Sequence, residues 1–204
     1  MLLSVVPGID EPGEREALGL SGIGRGAVLE EVVGLARSWW AGETVEHHSS
    51  RWSFTALTAP ARPLQQPLEV WLGGRGPKAL ERVGRIGDGW LGAQLTPEEA
   101  RLACRRIEES AERAGRHFDP EHFGLSIAYA RSTPEPAVLR AGRARRTDID
   151  PLELVPVGES GLRSLLVRYI DAGLSKFVLR PVDGVTSWEN EVAWLTGAVL
   201  DLQT

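Results

Sequence analysis

Short apolar runs alternate with segments of helical period along most of this sequence, and no other feature constrains the fold as strongly. Such runs suit buried strands, while apolar residues that recur every three or four positions suit helices packed on a sheet. This alternation is typical of βα units, which place their strands side by side in one parallel sheet. We count five such units, so the sequence predicts an α/β fold.

Each of the five predicted strands is followed by a predicted helix. The strands are residues 2–6, 68–72, 89–92, 124–130 and 176–180. The helix after the third strand has the clearest start, because Thr96 suits the N-cap, Pro97 suits the first helical position and Glu99 completes a capping box. Cys104 falls on the apolar face of this helix, so we expect a core residue rather than a nucleophile.

Two segments interrupt this pattern. Residues 42–67 alternate weakly and end in a proline-rich stretch, which indicates a small hairpin or excursion. Residues 131–158 are rich in Pro, Arg and Asp without a sustained period, so we expect a long loop or insertion with at most one short helix. A length of 204 residues suits one domain, and we treat residues 1–204 as a single unit.

The composition excludes several classes of protein. A single cysteine excludes a disulfide framework and cysteine-based zinc sites. No stretch approaches the ~18 consecutive apolar residues of a membrane-spanning helix. The formal net charge of -5 argues against a nucleic-acid binder, which needs clustered Lys and Arg. We therefore expect a cytoplasmic protein with neither a membrane nor a nucleic-acid partner.

Several polar groups have simple structural explanations. The basic run at residues 140–146 suits a solvated helix face or a loop. The four histidines lie at spacings that fit no metal site, so we expect them at the surface. Ser160 lies where a helix cap is expected, and Asp88 precedes a strand, which favours a turn acceptor over a catalytic acid.

The most informative chemistry lies in the turn after the second strand. It reads GGRGPK, so three glycines within four residues precede a helix that proline opens. Glycine lets the main chain approach a ligand closely, and the unpaired amides at a helix start favour an anion. The spacing fits neither the dinucleotide fingerprint nor the P-loop. The turn therefore fits either a phosphate site or simply a tight connection between strand and helix.

Three segments, taken in order, resemble the C-terminal part of the luciferase-like monooxygenase superfamily. They are GRGAVLEEVVGLARSWWAGETV, PLEVWLGGRGPKALERVGRIGDGWLGAQLTPEEA and ESGLRSLLVRYIDAGLSKFVLRPV. The resemblance is closest to oxidoreductases assigned to the deazaflavin coenzyme F-420. It implies a TIM-like (β/α)8 barrel, a cofactor that is deazaflavin F-420 or FMN, and hydride transfer between this cofactor and a small organic substrate.

The resemblance also implies where the cofactor binds. In the family, the loop after the fifth barrel strand helps hold the cofactor phosphate. That place is taken here by Gly73, Gly74, Arg75 and Gly76, which are our candidate cofactor-binding residues. The loop that holds Asp10 and Glu11 would also face the cofactor, but no role carries over to either residue. The resemblance identifies no catalytic residue.

By this resemblance the sequence encodes a partial barrel of about five βα units. In complete members three strands precede the one at residues 2–6, and a full barrel needs about 250 residues. Five units leave two unpaired strand edges and an exposed apolar inner face. A truncation or misassigned start, a degraded gene, and closure by a second chain each explain the difference. A non-catalytic α/β module with a flavodoxin-like open sheet, which binds a phosphorylated ligand or a partner, is the alternative.

We expect the chain to be poorly soluble or oligomeric, with a homodimer favoured because dimers are common in the family. The physical reason is the apolar inner face between two open strand edges. Size-exclusion chromatography with light scattering should give a mass of at least two chains. A well-behaved monomer with a cooperative melt and full flavin affinity would contradict this expectation.

Overall fold

Strands and helices alternate along the chain, as the sequence predicts. The computed structural model describes residues 2–8, 11–19 and 22–203, so Asp10 lies outside the described residues. In chain order the elements are β1 (Leu3–Val5), α1 (Pro12–Ala17), α2 (Arg25–Ala41), β2 (Val45–His48), β3 (Ser53–Leu57), β4 (Val70–Gly73), α3 (Pro77–Ile86), β5 (Gly89–Ala93), α4 (Pro97–Arg113), β6 (Phe123–Tyr129), α5 (Pro136–Arg145), α6 (Pro151–Leu154), α7 (Gly158–Asp171), β7 (Lys176–Pro181) and α8 (Trp188–Val199). Short 3-10 turns lie at Pro120–His122 and Leu200–Leu202.

Five parallel strands form one sheet in the order β1-β4-β5-β6-β7. Since the hairpin strands β2 and β3 form a separate sheet, each strand of the main sheet lies beside the next one along the chain. This is the order of a barrel wall, and it differs from the flavodoxin-like order of the alternative interpretation, in which the chain reverses direction across the sheet. The two edges are β1 and β7.

The two faces of the sheet have different environments. Side chains alternate along a strand, and Val70, Leu72 and Trp90 point to the face that packs against the helices. Residues of α2, α3, α4 and α7 complete this hydrophobic core. The opposite face, which we call the inner face, leaves apolar side chains in solvent: Leu2, Val6 and Val178 are 50%, 61% and 46% exposed. The expected open inner face is therefore present.

Trp71 covers the amino-terminal end of the inner face. Its ring lies over two neighbouring strands, and a Cβ at Gly89 or at Gly124 would fall 2.3 Å or 3.0 Å from ring atoms. Its indole Nε1 donates to Glu69 at 3.2 Å, and its ring packs on His122 with centroids 5.3 Å apart. Only glycine fits at position 89 without displacing this ring, so Trp71 forms the floor of the inner face.

The segment 42–67 contains the hairpin formed by β2 and β3, which is attached to α2. His47 of β2 hydrogen-bonds to Glu31 at 2.6 Å, and Phe54 of β3 stacks on Trp39 with centroids 5.8 Å apart. Both contacts join the hairpin to one face of α2.

The segment 131–158 has more regular structure than we expected. It contains two helices, α5 and α6, rather than at most one. Each begins with proline at its first position, and Asp150 caps α6 by accepting from the Leu152 amide at 3.0 Å. These helices have 10 and 4 residues, which is too short to produce a clear apolar period in the sequence.

The start of α4 is as the sequence predicts. Thr96 Oγ1 accepts from the Glu99 amide at 3.2 Å, and the Glu99 carboxylate accepts from the Thr96 amide at 2.8 Å. Cys104 lies in the core, where burial raises the pKa of its thiol to about 12, so it is not a nucleophile at neutral pH.

The expectation that Ser160 caps a helix is wrong. Val157 is the N-cap of α7 and Ser160 lies within the first turn. Gly158 has φ of 71° and its amide donates to the Ala130 carbonyl at 2.8 Å, so the chain turns into the helix two residues before Ser160.

Among the residues that the structure describes, no helix is long and apolar enough to cross a membrane.

We expect Thr96→Ala to lower the free energy of unfolding by about 1 kcal/mol, because the first turn of α4 loses one half of its capping box. Urea denaturation followed by circular dichroism measures this change. Thr196→Ala, on the exposed surface of α8, is the matched control and should leave the stability unchanged or slightly higher. Equal effects of the two substitutions would contradict the assigned cap.

Candidate functional site

The carboxyl ends of the five strands meet at one end of the sheet, where parallel βα folds bind their ligands. The inner-face positions here are small, since β4 ends at Gly73, β5 ends at Ala93 and Ala128 lies near the end of β6. A Cβ at Gly73 would fall 2.5 Å from Val6 Cγ1, so a larger residue at this position would require the Val6 side chain to move. The result is an open surface with small side chains at its centre.

The turn that follows β4 has a backbone that requires glycine. Gly74 has φ of 118°, and a Cβ there would lie 2.7 Å from the Cβ of Ala79. Its carbonyl accepts from the Trp90 indole Nε1 at 2.8 Å, which ties the turn to the core. The turn is therefore anchored to a buried side chain of the neighbouring strand.

The same turn leaves backbone donors free at the start of α3. Gly76 is the N-cap with no side-chain partner, and its carbonyl accepts from the amides of Ala79 and Leu80 at 2.9 Å and 3.0 Å. Neither the Arg75 amide nor the Gly76 amide donates a hydrogen bond to any described residue. Free amides at the positive end of a ten-residue helix are suited to an anion.

Arg146 contradicts the expectation that the whole basic run is solvated. Its side chain is only 5% exposed, although the neighbouring Arg143 and Arg145 are exposed. Arg146 donates to Glu99 Oε1 at 2.7 Å, to Asp148 Oδ1 and Oδ2 at 2.9 Å each, and to the Gln94 carbonyl at 2.5 Å. Two carboxylates compensate its charge, which explains how an arginine can be buried here. It joins the β5–α4 turn to the α5–α6 loop.

The cluster of Arg146, Glu99 and Asp148 interacts electrostatically with the glycine turn. Hydrogen bonds from Arg146 lower the pKa of Asp148 to about 2, and the positive charge of Arg75 contributes to this lowering. Burial alone would raise the pKa of Glu99, but hydrogen bonds from Arg146 and the Thr96 amide outweigh it, so the pKa is lowered. Both carboxylates are therefore ionised at neutral pH.

Asp88 lies at the other end of the sheet and acts as an acceptor, as the sequence predicts. Its carboxylate accepts from Arg37 at 2.6 Å, from the Val70 amide at 3.0 Å and from Arg116 at 3.2 Å. These bonds join α2, β4 and the segment after α4. Asp88 therefore has a structural role away from the glycine turn.

The histidines are not all at the surface, which corrects our expectation. His47 and His122 are half-buried, because His47 joins the hairpin to α2 and His122 hydrogen-bonds to the Asp88 carbonyl at 2.7 Å. No group of three or more His, Cys, Asp or Glu side chains is arranged to hold a metal ion in the part of the chain that the structure describes.

Sequence reasoning missed the polar pair Ser126 and Arg180. Arg180 Nε donates to Ser126 Oγ at 2.8 Å between the two last strands. The alternation in KFVLRP was a usable signal, because it places Arg180 opposite to the core residues Phe177 and Leu179. No comparable signal predicts the burial of Arg146, since its carboxylate partner Glu99 is 47 residues away in the sequence.

The profile of the luciferase-like monooxygenase family matches residues 2–157. The chain belongs to this family. The match includes the glycine turn, the strands β1, β4, β5 and β6, and most of the segment 131–158.

Two curated relatives of this luciferase-like chain indicate the range of the family. A sulfoquinovose monooxygenase of Agrobacterium fabrum is 34% identical over 101 residues, which are 48% of this chain and 25% of that protein. A 5,10-methylenetetrahydromethanopterin reductase of Methanolobus tindarius is 30% identical over 122 residues, which are 58% of this chain and 36% of the relative. This chain thus spans between a quarter and about a third of their lengths.

Solved structures show the same fold. A coenzyme F420 dependent tetrahydromethanopterin reductase from Methanopyrus kandleri has a TM-score of 0.75 at 16% identity and covers 100% of this chain, which in turn covers 74% of that structure. The oxygenating constituent of 3,6-diketocamphane monooxygenase of Pseudomonas putida, in complex with FMN, has a TM-score of 0.70 at 13% identity, with coverage of 100% and 71%. The predicted α/β fold, a partial TIM-like barrel of five βα units, is confirmed.

We expect Arg146→Gln to reduce the stability more at pH 7 than at pH 2.5. The pKa values of Glu99 and Asp148 are lowered in the folded chain, so their ionised forms stabilise it. This stabilisation is present above the unfolded pKa values near 4 and is lost as the pH falls towards about 2. Urea denaturation at a series of pH values measures the difference between wild type and variant.

Arg143→Gln is the matched control for this experiment, because it removes the same charge from the exposed surface of α5. Its free energy of unfolding should differ little from that of wild type at every pH. A difference for Arg146→Gln that does not vary with pH would contradict the assigned ion pairs.

Proposed function

We propose that this chain carries the cofactor-binding part of a luciferase-like oxidoreductase, which binds deazaflavin F-420 or FMN and acts on a small organic substrate. In this proposal the cofactor phosphate binds at Gly73, Gly74, Arg75 and Gly76. The single observation that carries it is the pair of free amides at Arg75 and Gly76, at the ligand-binding end of a sheet that belongs to this family.

The residues at this turn fit a phosphate group. Two backbone donors and the positive end of α3 lie together, and the Arg75 side chain is exposed beside them. A Cβ at Gly76 would meet no atom within 4 Å, so the space in front of the helix start is open. Each hydrogen bond to a charged phosphate contributes about 1.5 to 3 kcal/mol.

In this proposal the flat ring system of the same cofactor lies over the inner face. The small side chains of Ala93 and Ala128 leave room above the strands, while the Trp71 floor closes the surface below. When bound, a flavin or deazaflavin supplies the hydride chemistry itself. The chain then needs neither a protein nucleophile nor a metal ligand for this role, and its own residues bind and orient the cofactor.

Relatives support the choice of cofactor class. A reductase among the similar structures is coenzyme F420 dependent, and a monooxygenase among them is in complex with FMN. A homodimeric state, which the family resemblance implies, and a cytoplasmic location, which the composition favours, belong to the same proposal.

We expect FMN to bind at least about tenfold more tightly than riboflavin, because only FMN carries the phosphate that the turn would hold. Fluorescence titration of the purified protein measures both affinities. Arg75→Gln should weaken FMN binding by roughly tenfold and leave riboflavin binding unchanged. The same pair of titrations applies to F-420 and its chromophore without the phosphate side chain.

Gly197→Ala, at an open position of α8, is the control for a glycine change far from the turn. Gly74→Ala should abolish the preference for FMN over riboflavin, whereas Gly197→Ala should retain it. Equal affinity of the wild type for FMN and riboflavin would contradict the phosphate site. Binding without any oxidation or reduction of the cofactor in the presence of substrates would favour the non-catalytic module.

A further inference from the structure

One charged side chain lies near the carboxyl end of the inner face. The core contacts of Phe177 and Leu179 place the alternate residues Val178 and Arg180 on the inner face of β7. Arg180 pairs with Ala128 in the register of β6 and β7. Its hydrogen bond to Ser126, which alternates with core residues of β6, places the guanidinium on the same face.

One of the three guanidinium nitrogens of Arg180 makes a hydrogen bond with a described residue, and the other two make none. Its Nε donates to Ser126 Oγ at 2.8 Å, and its two terminal nitrogens have no hydrogen bond or ion pair with any described residue. The Arg180 side chain is exposed, and a guanidinium with both terminal nitrogens free can bind two oxygens of one oxyanion in parallel.

The strand positions around Arg180 carry no charge that would compensate its own. The neighbouring inner-face positions of β4, β5 and β6 are uncharged: Gly73, Leu91, Ala93, Gly124, Ser126 and Ala128. The other basic residue of β7, Lys176, lies at the opposite end of the strand and pairs with Glu121 at 3.2 Å. No carboxylate on these strand positions competes for the guanidinium, so an anion that enters this surface finds an uncompensated cation.

Arg180 is separate from the glycine turn. Its guanidinium hydrogen-bonds to Ser126 on β6, two strands away from β4, and neighbouring strands are about 4.8 Å apart, so the guanidinium lies roughly 10 Å from β4 across the sheet. One small oxyanion cannot contact both. The two features therefore suit two different charged groups on the same surface.

We propose that Arg180 binds an oxyanion of the substrate, so that the substrate class of this site is a small organic acid with a carboxylate or sulfonate group. Ser126 is the positioning residue that fixes the guanidinium. This inference rests on the proposed function, because it assigns the second charged group on the inner face to the substrate rather than to the cofactor.

The test is an NMR titration of the protein without cofactor, with methanesulfonate as the charged probe and dimethyl sulfone as its neutral counterpart. Methanesulfonate should shift the Arg180 side-chain signal and the amides of Ala128 and Val178, whereas dimethyl sulfone should not. Arg180→Gln should weaken methanesulfonate binding by about tenfold to a hundredfold. Acetate should give the same pattern.

Three further variants separate a specific site from a general charge effect. Arg180→Lys keeps the charge without the planar pair of donors and should retain only part of the affinity. Ser126→Ala should weaken binding less than Arg180→Gln, because the charge remains. Arg143→Gln removes an equal charge from α5 and should have no effect. Equal losses for Arg143→Gln and Arg180→Gln would overturn the proposal, as would equal shifts with both probes.

FMN and riboflavin titrations of Arg180→Gln distinguish this inference from the proposed function. Unchanged affinities for both flavins, together with lost methanesulfonate binding, are the expected result. A loss of FMN affinity without a loss of riboflavin affinity would assign Arg180 to the cofactor phosphate and overturn the inference. If wild type binds methanesulfonate through Arg180 but binds neither FMN nor F-420, the anion site stands and the proposed cofactor site fails.

Discussion

Every functional feature of this chain depends on the side-chain alternation of its parallel strands. Each strand buries one set of side chains against the helices, and burial of this set fixes which residues remain on the other face. Val70, Leu72 and Trp90 satisfy the hydrophobic core, so Trp71, Gly73 and Leu91 must face inward. A shift of one residue in any strand would exchange the two sets. The position of the glycine turn and of Arg180 therefore follows from core packing.

Ion pairs at the two ends of the sheet hold the connecting segments. At the carboxyl end, Arg146 joins two loops through Glu99 and Asp148 beside the glycine turn. At the amino end, Asp88 joins three segments through Arg37, Arg116 and the Val70 amide. The arrangement is similar at both ends, but its consequences differ. The cluster at the carboxyl end stabilises the surroundings of the candidate site, whereas the cluster at the amino end stabilises the barrel wall alone.

Local signals in the sequence predicted the features that depend on neighbours along the chain. The capping box at Thr96, the buried Cys104 and the alternation of strands and helices all depend on residues that lie close together in the sequence. The glycine turn could also be located, because its unusual backbone requires glycine at a short spacing. The role of that turn in cofactor binding is still a prediction, since it depends on a group that the sequence does not contain.

Features that depend on distant partners could not be predicted in this way. Arg146 lies in a run of arginines that are otherwise exposed, and only its approach to Glu99 explains its burial. Ser160 precedes apolar helical positions as a cap would, but the bridge between Ala130 and Val157 fixes an earlier start of α7. The helices of the segment 131–158 are too short for their period to be recognised. In each case the missing information was a tertiary contact.

The Trp71 floor has a consequence for how this chain can evolve. The indole occupies the space that side chains at positions 89 and 124 would need, so it permits no larger residue at position 89 and restricts position 124. A smaller residue at position 71 would release both restrictions and leave a cavity that larger side chains could fill. These three positions on three adjacent strands should therefore vary together among homologues, with tryptophan accompanied by two glycines.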